Sequence, residues 1–482
     1  MIMLIKTLFY ERYSPEVRSG AAMRCNQYLE EVIVEMGHDL LTISPDRISS
    51  KSQMFIPWDC LQFNKSFNSH FSDISIYCDR GIESSPPSRE SSKVNILLLH
   101  GLYYNFNLIN NLDCLDIILT TSLYWAEVIQ LLLGGNIVSN SYQLRELYAS
   151  KIGTKQPIIY PLTPPIQVAT YDSESNTNFL SKYNLDDLQQ EVIFAHSIQP
   201  QKASIPAFVG IVAFLVSSFK QRKQLFKVFV SKSNAADIQH ELMHLTNSSW
   251  FNNFSNISAC DIQTSIIFTD RLPQTDLHQL FSLSRFGICY NEVPESFGMY
   301  ILESILSGCP IFSNGAGNMR HSLPSFHGHY INEPYGLYNY NHDDLASLCK
   351  QILCKLDDPM LKHEIHQGRS YIVSKYNIRE YKKGFRDVLK AVAIWPVEIK
   401  KIYEPKRLTS DNQDIYKLSP LVRSLCSQHN YVFADHQNYQ LTDMDFKLLT
   451  LIGDSSSSLT EMNYYANIKS LLDKGLICRI CP

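Results

Sequence analysis

No stretch of this 482-residue chain is apolar for long enough to span a bilayer. No secretory signal is recognisable either. Met1 to Tyr10 is apolar but short, and Glu11 and Arg12 follow it, so the segment reads as a first buried strand. The 12 cysteines form no disulfide framework; in a chain of this size they read as reduced thiols of a cytoplasmic protein. Cys478-Arg479-Ile480-Cys481 is a lone C-x-x-C without partners for metal or redox work. Charge of one sign is also missing. A net charge of −4 gives no global field toward nucleic acid or acidic membrane. No Ser/His/Asp or Cys/His nucleophile set can be discerned.

The length calls for two or three domains. Short apolar runs alternate with helical periods from the start. Strands are expected over Ile2 to Leu8, Asp39 to Ser44, Val94 to Leu99, Asp116 to Ser122 and Asn136 to Ser141, with helices over Met23 to Met36 and Gln143 to Lys151. Lys51 to Ser92 is weakly patterned, with Ser84 to Ser88 as an exposed loop. This alternation implies a doubly wound parallel sheet, which binds ligands at the carboxyl ends of its strands. Gly20 opens a helix after the first strand, where backbone N–H groups meet phosphates. His100 stands at such a strand end. The Pro-dense run Pro157 to Pro165 reads as a link between domains.

A second α/β set starts at Val192 to His196, with Lys202 in the loop after it, and continues through strands at Lys227 to Val230 and Ile266 to Phe268. Its most informative run is Asn291 to Gly317. A buried strand leads into Glu295-Ser296-Phe297-Gly298, then a helix from Met299 to Leu306 that carries Glu303, closed by Ser307-Gly308. The amides of Phe297, Gly298 and Met299 at that helix start suit a diphosphate. Glu295 and Glu303, a little over two helical turns apart, suit sugar and ribose hydroxyls. A helix is expected over Asp343 to Leu356 and a long final one over Tyr371 to Ala393.

At these residues the sequence resembles the retaining GT-B glycosyltransferases of the glycosyltransferase-4-like family. The pattern is E-x-F-G (Glu295 to Gly298), a second Glu (Glu303), G-x-P (Gly308-Cys309-Pro310) and the small-residue loop Asn314 to Gly317. The resemblance implies a nucleotide-sugar donor as co-substrate, in a cleft between two Rossmann-like domains, and retention of configuration without a metal or other cofactor. It implies Glu295, His100 and Lys202 near the reacting groups, Glu303 on the ribose, and Gly20, Lys202 and the amides of Phe297, Gly298 and Met299 on the phosphates. The pattern departs at Ser197, where the family carries an Arg on the diphosphate, and at Ala203, where it carries a Gly.

The expected architecture is α/β. It comprises an acceptor-side Rossmann-like domain (1–163), a nucleotide-sugar-binding Rossmann-like domain (164–395), a linker (396–415) and a small winged-helix-like α+β module (416–482). In the module, Asn430 to Leu441 reads as a β-hairpin and Thr442 caps a helix. Ser458-x-x-Glu461 is a capping-box pattern, a third helix follows, and Leu476 to Ile480 is a closing strand. Asp443-Met-Asp445 imitates a D-x-D metal motif, but the helix cap explains both carboxylates, so no metal is expected. The module is similar to PqqD-like peptide-recognition elements, which bind a leader peptide as an added strand. A ribosomal peptide is therefore a candidate acceptor beside a small molecule. A structural or homodimerising role is the alternative for the module. A catalytically altered GT-B-like protein that binds a peptide or partner is the alternative for the whole chain.

Overall fold

A computed structural model describes residues 2–9, 21–44, 54–57, 71–79, 87–101, 112, 114–133, 157–167, 179–183, 191–197, 205–270, 272–291, 294–324, 327–331, 342–394, 415–419, 422–426, 430–434, 437–454, 457–458 and 465–480. Gly20, Lys202, Ala203, the strand and helix expected within 136–151, the linker up to 414, Glu461 and Cys481 lie outside them.

The first sheet has seven strands: β1 (Leu4–Phe9), β2 (Asp39–Ser44), β3 (Met54–Pro57), β4 (Ser72–Cys78), β5 (Ser92–Leu99), β6 (Ile117–Thr120) and β7 (Ile158–Pro161). Their order is β3-β2-β1-β4-β5-β6-β7 and all pairs are parallel. Helices α1 (Ala21–Glu35) and α2 (Leu123–Leu133) belong to it. Strands buried on both faces need near-continuous apolar runs, and β5 supplies one from Val94 to Leu99. Two expectations are corrected here. The weakly patterned stretch after Lys51 contains β3 and the central strand β4. The supposed linker Pro157 to Pro165 contains β7, the last strand of the sheet among the described residues, which ends on Pro161, a position where a missing N–H costs the ladder little. The packing of α1 on this sheet includes polar contacts beside buried Leu29, Val32 and Ile33. Buried Glu30 accepts hydrogen bonds from Thr7 Oγ1 (3.0 Å) and Thr42 Oγ1 (2.5 Å). Buried Lys6 donates to the Ser91 carbonyl at 3.1 Å, and desolvation lowers its pKa to about 8.

The second sheet contains β8 (Val192–Ser197), β9 (Leu225–Ser231), β10 (Ile266–Thr269), β11 (Phe286–Cys289), β12 (Ile311–Ser313) and β13 (His329–Ile331), ordered β10-β9-β8-β11-β12-β13 and parallel throughout. Around it run α3 (Ile205–Gln221), α4 (Ala235–Thr246), α5 (Ala259–Ser265), α6 (Gln274–Leu283), α7 (Met299–Leu306), α8 (His342–Leu356) and α9 (Leu361–Lys375). Its core joins Phe226, Val228, Phe286 and Phe312 with α3 residues such as Val209 and Val212 and with Ile352 of α8. The long final helix is two helices, α9 and α10 (Ile378–Ile394). The break falls at Asn377, whose Oδ1 accepts the N–H of Glu380 at 3.0 Å and so restarts the chain as a helix cap.

The C-terminal segment adds β14 (Ile415–Leu418), β15 (Val422–Cys426), β16 (Tyr431–Ala434), β17 (Gln437–Gln440), α11 (Asp443–Asp454), β18 (Ser457–Ser458), α12 (Tyr465–Asp473) and β19 (Ile477–Ile480). The expected hairpin is β16–β17, in register from Tyr431↔Gln440 to Ala434↔Gln437. Thr442 Oγ1 caps α11 through the N–H of Asp445 at 3.1 Å, and Asp445 Oδ1 accepts from Asn467 at 2.6 Å. Ser458 pairs with Ile415 as a strand residue, and the short helix expected after it, at 459–464, lies outside the described residues. Strands β18-β14-β19 form one sheet and β15-β16-β17 another. Cys478 is fully buried in the apolar cluster that holds Leu8, Leu97 and Ile118.

The chain divides into two compact units. The first comprises Met1–Pro165, Tyr376–Val422 and Leu441–Pro482; the second comprises Ile166–Lys375 and Arg423–Gln440. Helix α10 falls in the first unit, and the segment 416–482 has parts in both. No described helix is long and apolar enough to cross a membrane.

Candidate functional site

In a doubly wound sheet, ligands gather where the strand order reverses, outside the carboxyl ends of the strands. In the second unit the reversal lies between β8 and β11. Strand β8 ends at Ser197, which is buried, so this residue is the last of a strand rather than part of the following loop. Strand β11 feeds Asn291 and then the loop that carries Glu295 to Gly298.

That loop is stitched to the one after β12. Asn314 Nδ2 donates to the Asn291 carbonyl at 2.8 Å, and the Asn291 N–H returns to Asn314 Oδ1 at 3.2 Å. A single parallel bridge then pairs Glu295 with Gly317. The Glu295 N–H donates to Ala316 O at 3.2 Å, and the Asn318 N–H donates to Glu295 O at 2.8 Å. Asn318 Nδ2 donates to the Phe297 carbonyl at 2.8 Å. Glu295 is 5% exposed, so its backbone is held from both sides and its side chain has few places to go.

Helix α7 opens on Gly298, whose left-handed backbone (φ 85°, ψ 43°) is one that L side chains rarely adopt. The Gly298 carbonyl takes the N–H groups of Ile301 and Leu302, while Phe297 and Met299 are buried. Glu303 lies one turn further along and is wholly buried. His278 of α6 stands next to it, with Nε2 3.7 Å from Glu303 Oε1.

Helix α7 is also pinned to the end of β8. His196 Nε2 lies 2.9 Å from Ser304 Oγ, which donates to the Cys309 carbonyl at 3.2 Å, so the imidazole donates to the hydroxyl. Burial pushes the pKa of His196 down to about 3 and keeps the ring neutral. Gly287 makes room for it, since a Cβ there would stand 2.4 Å from His196 Cε1. On the other flank Ser313 Oγ meets His329 Nε2 at 2.6 Å and accepts the Gly315 N–H at 3.0 Å. Burial lowers the pKa of His329 to about 4.

The structure thus brings Glu295, Phe297, Gly298, Met299 and Glu303 together in one unit, while His100 lies in the other. Lys202 and Gly20 are outside the described residues. Sequence reasoning did not single out Asn291, Asn318, His278, His196 or Ser304; each acts through a partner distant in the chain. Among the described residues no group of three or more His, Cys, Asp or Glu side chains could hold a metal ion.

No protein-family model and no curated protein matches the chain. Solved structures do. A glycosyltransferase from Rickettsia africae ESF-5 superposes with a TM-score of 0.57 at 14% identity, over 82% of this chain and 100% of its own. Anabaena Alr3699/HepE in complex with UDP-glucose gives 0.55 at 10% identity, over 81% and 100%. The N-terminal domain of Candida albicans trehalose-6-phosphate phosphatase gives 0.54 at 11% identity, over 81% and 97%. At such identities the likeness concerns the fold, and the fold is the two-domain GT-B arrangement of glycosyltransferases.

Proposed function

We propose that the chain is a glycosyltransferase that moves a sugar from a nucleotide-sugar donor to an acceptor. The observation that carries this reading is the stitched pair of loops at the strand reversal of the second sheet. It fixes Glu295 beside a left-handed Gly298, from which α7 starts, at the place where a pyrophosphate meets a helix N-terminus in α/β folds. In this reading the donor diphosphate lies against the first turn of α7. Glu295 receives sugar hydroxyls, Glu303 receives the ribose, and Lys202 supplies the cation. Electrostatic support of the departing diphosphate is the main catalytic contribution. The resemblance to the glycosyltransferase-4-like family supports retention of configuration and independence from a metal. UDP-glucose in the HepE structure makes uridine diphosphate sugars the first donors to test.

Donor recognition through Glu303 is tested by thermal shift and turnover over a set of nucleotide sugars, for the wild-type chain and Glu303→Ala. Stabilisation and turnover that vanish in the variant support the proposal.

A second reading keeps the fold and gives up the transfer. Ser197, in place of the family's Arg, removes a charge-assisted phosphate contact of roughly 1.5–3 kcal/mol. The fold also occurs in a protein named as a phosphatase. In that case the C-terminal hairpin is the working part, and β17, at the edge of its sheet, receives an extended peptide. Removal of residues 416–482 then abolishes peptide binding. Under the first reading the same hairpin recruits a peptide acceptor, and the truncation leaves donor binding intact.

A further inference from the structure

The first sheet has its own strand reversal, between β1 and β4. Asp79 immediately follows β4, and His100 immediately follows the neighbouring strand β5. Asp79 holds a left-handed backbone (φ 44°) without being glycine, fixed by its N–H on the Leu98 carbonyl at 2.9 Å. Such a conformation is uncommon outside glycine, Asn and Asp, and here the surrounding hydrogen bonds hold it. Its carboxylate grips His100 twice: Oδ1 accepts the His100 backbone N–H at 2.8 Å, and Oδ2 meets ring Nδ1 at 2.5 Å. The side chain of His100 is 10% exposed. Its Nε2 is buried and meets no described nitrogen or oxygen, while the Cys25 side chain of α1 hydrogen-bonds the ring.

We propose that Asp79 is a positioning residue: it clamps His100 by main chain and ring, and so presents the Nε2 edge as a fixed donor at the carboxyl end of β5. This deepens the glycosyl-transfer reading and rests on it. A carboxylate on Nδ1 sets the tautomer and orientation of an imidazole and favours its protonated form. The Nε2–H is then available to an oxygen of a substrate bound over the strand ends. Around the ring, the groups that bear on its charge are Asp79 and Cys25 of α1; these two, with Glu30 of α1, also act on Cys78 next to Asp79. Burial would lower the His100 pKa, but the Asp79 charge and hydrogen bond, with Cys25, outweigh it and raise the value to about 10.

The test is a side-chain NMR titration of the histidine rings in the full chain. Among the 15 histidines, the His100 signal is identified by its loss in His100→Gln. Asp79→Asn is the informative variant, because Asn tolerates the left-handed backbone as Asp does. We expect the wild-type ring to stay protonated through pH 8, and in Asp79→Asn to titrate near or below the ordinary value of about 6.5. A wild-type ring that titrates near 6.5 overturns the proposal whether or not the variant folds, as does the same titration in both proteins. With UDP-glucose as probe, turnover should fall about ten-fold or more in Asp79→Asn, no further in the double variant with His100→Gln, and at unchanged UDP affinity. Unchanged turnover overturns the positioning role. Glu303→Ala tests the donor reading separately, since it should remove UDP binding while leaving the His100 titration as in wild type.

Discussion

Gly317 places its α-carbon directly against the backbone of Glu295: a Cβ there would stand 2.5 Å from Glu295 O and 2.6 Å from Glu295 N. The backbone at Gly317 (φ 69°, ψ −137°) is likewise closed to other residues. Gly317→Ala should therefore destabilise the chain by roughly 2–4 kcal/mol through strain and overpacking together. It should also displace Glu295, so nucleotide-sugar binding should be lost even where the protein stays folded. Urea melts and a calorimetric titration with UDP check the two effects. An alanine variant of wild-type stability would mean that the two loops are not held against each other.

Gly298→Ala separates strain from crowding. Its backbone is left-handed, but the nearest atom to a new Cβ is Glu295 Cγ at 3.4 Å, an ordinary contact. The cost should be about 1–2 kcal/mol, smaller than at Gly317. The ordering of the two urea midpoints is the readout; the reverse order would contradict the geometry.

Two buried histidines flank the site and make it sensitive to acid. His196 and His329 titrate at about 3 and about 4 in the folded chain because burial disfavours their charged forms. In the unfolded chain both take up a proton near 6.5. The unfolded state thus binds more protons at these two sites below that point, so their contribution to stability is complete above about pH 6.5 and falls as the pH drops toward 4. Urea midpoints measured from pH 7 to pH 4 should decline, and less steeply in His329→Gln. A flat profile would mean that these rings are solvated.

The helix Met299–Leu306 was legible in the sequence because apolar period and a terminating Gly308 agree there. Strand β4 was not, because Ser72 and Ser75 occupy core positions. They satisfy one another at 3.1 Å, and Ser72 also reaches Ser92, so a buried strand looks polar in one dimension. The break at Asn377 was hidden inside a continuous helical period and depends on one side-chain cap. Within the candidate site, the E-x-F-G run and its following Glu are local and were readable. The stitching of Glu295 to Gly317 and Asn318, the approach of His278 to Glu303 and the grip of Asp79 on His100 all join residues from different elements, and no periodicity reports them.

The central claim is that a nucleotide sugar binds at the start of α7 with Glu303 as a contact. Thermal melts of wild type and Glu303→Ala over a panel of nucleotide sugars at millimolar concentration test it most directly. A donor at about 100 times its Kd stabilises the folded state by about 2.7 kcal/mol. We predict that at least one sugar nucleotide raises the wild-type midpoint and leaves Glu303→Ala unmoved. No shift with any of them, or an equal shift in both proteins, would contradict the account.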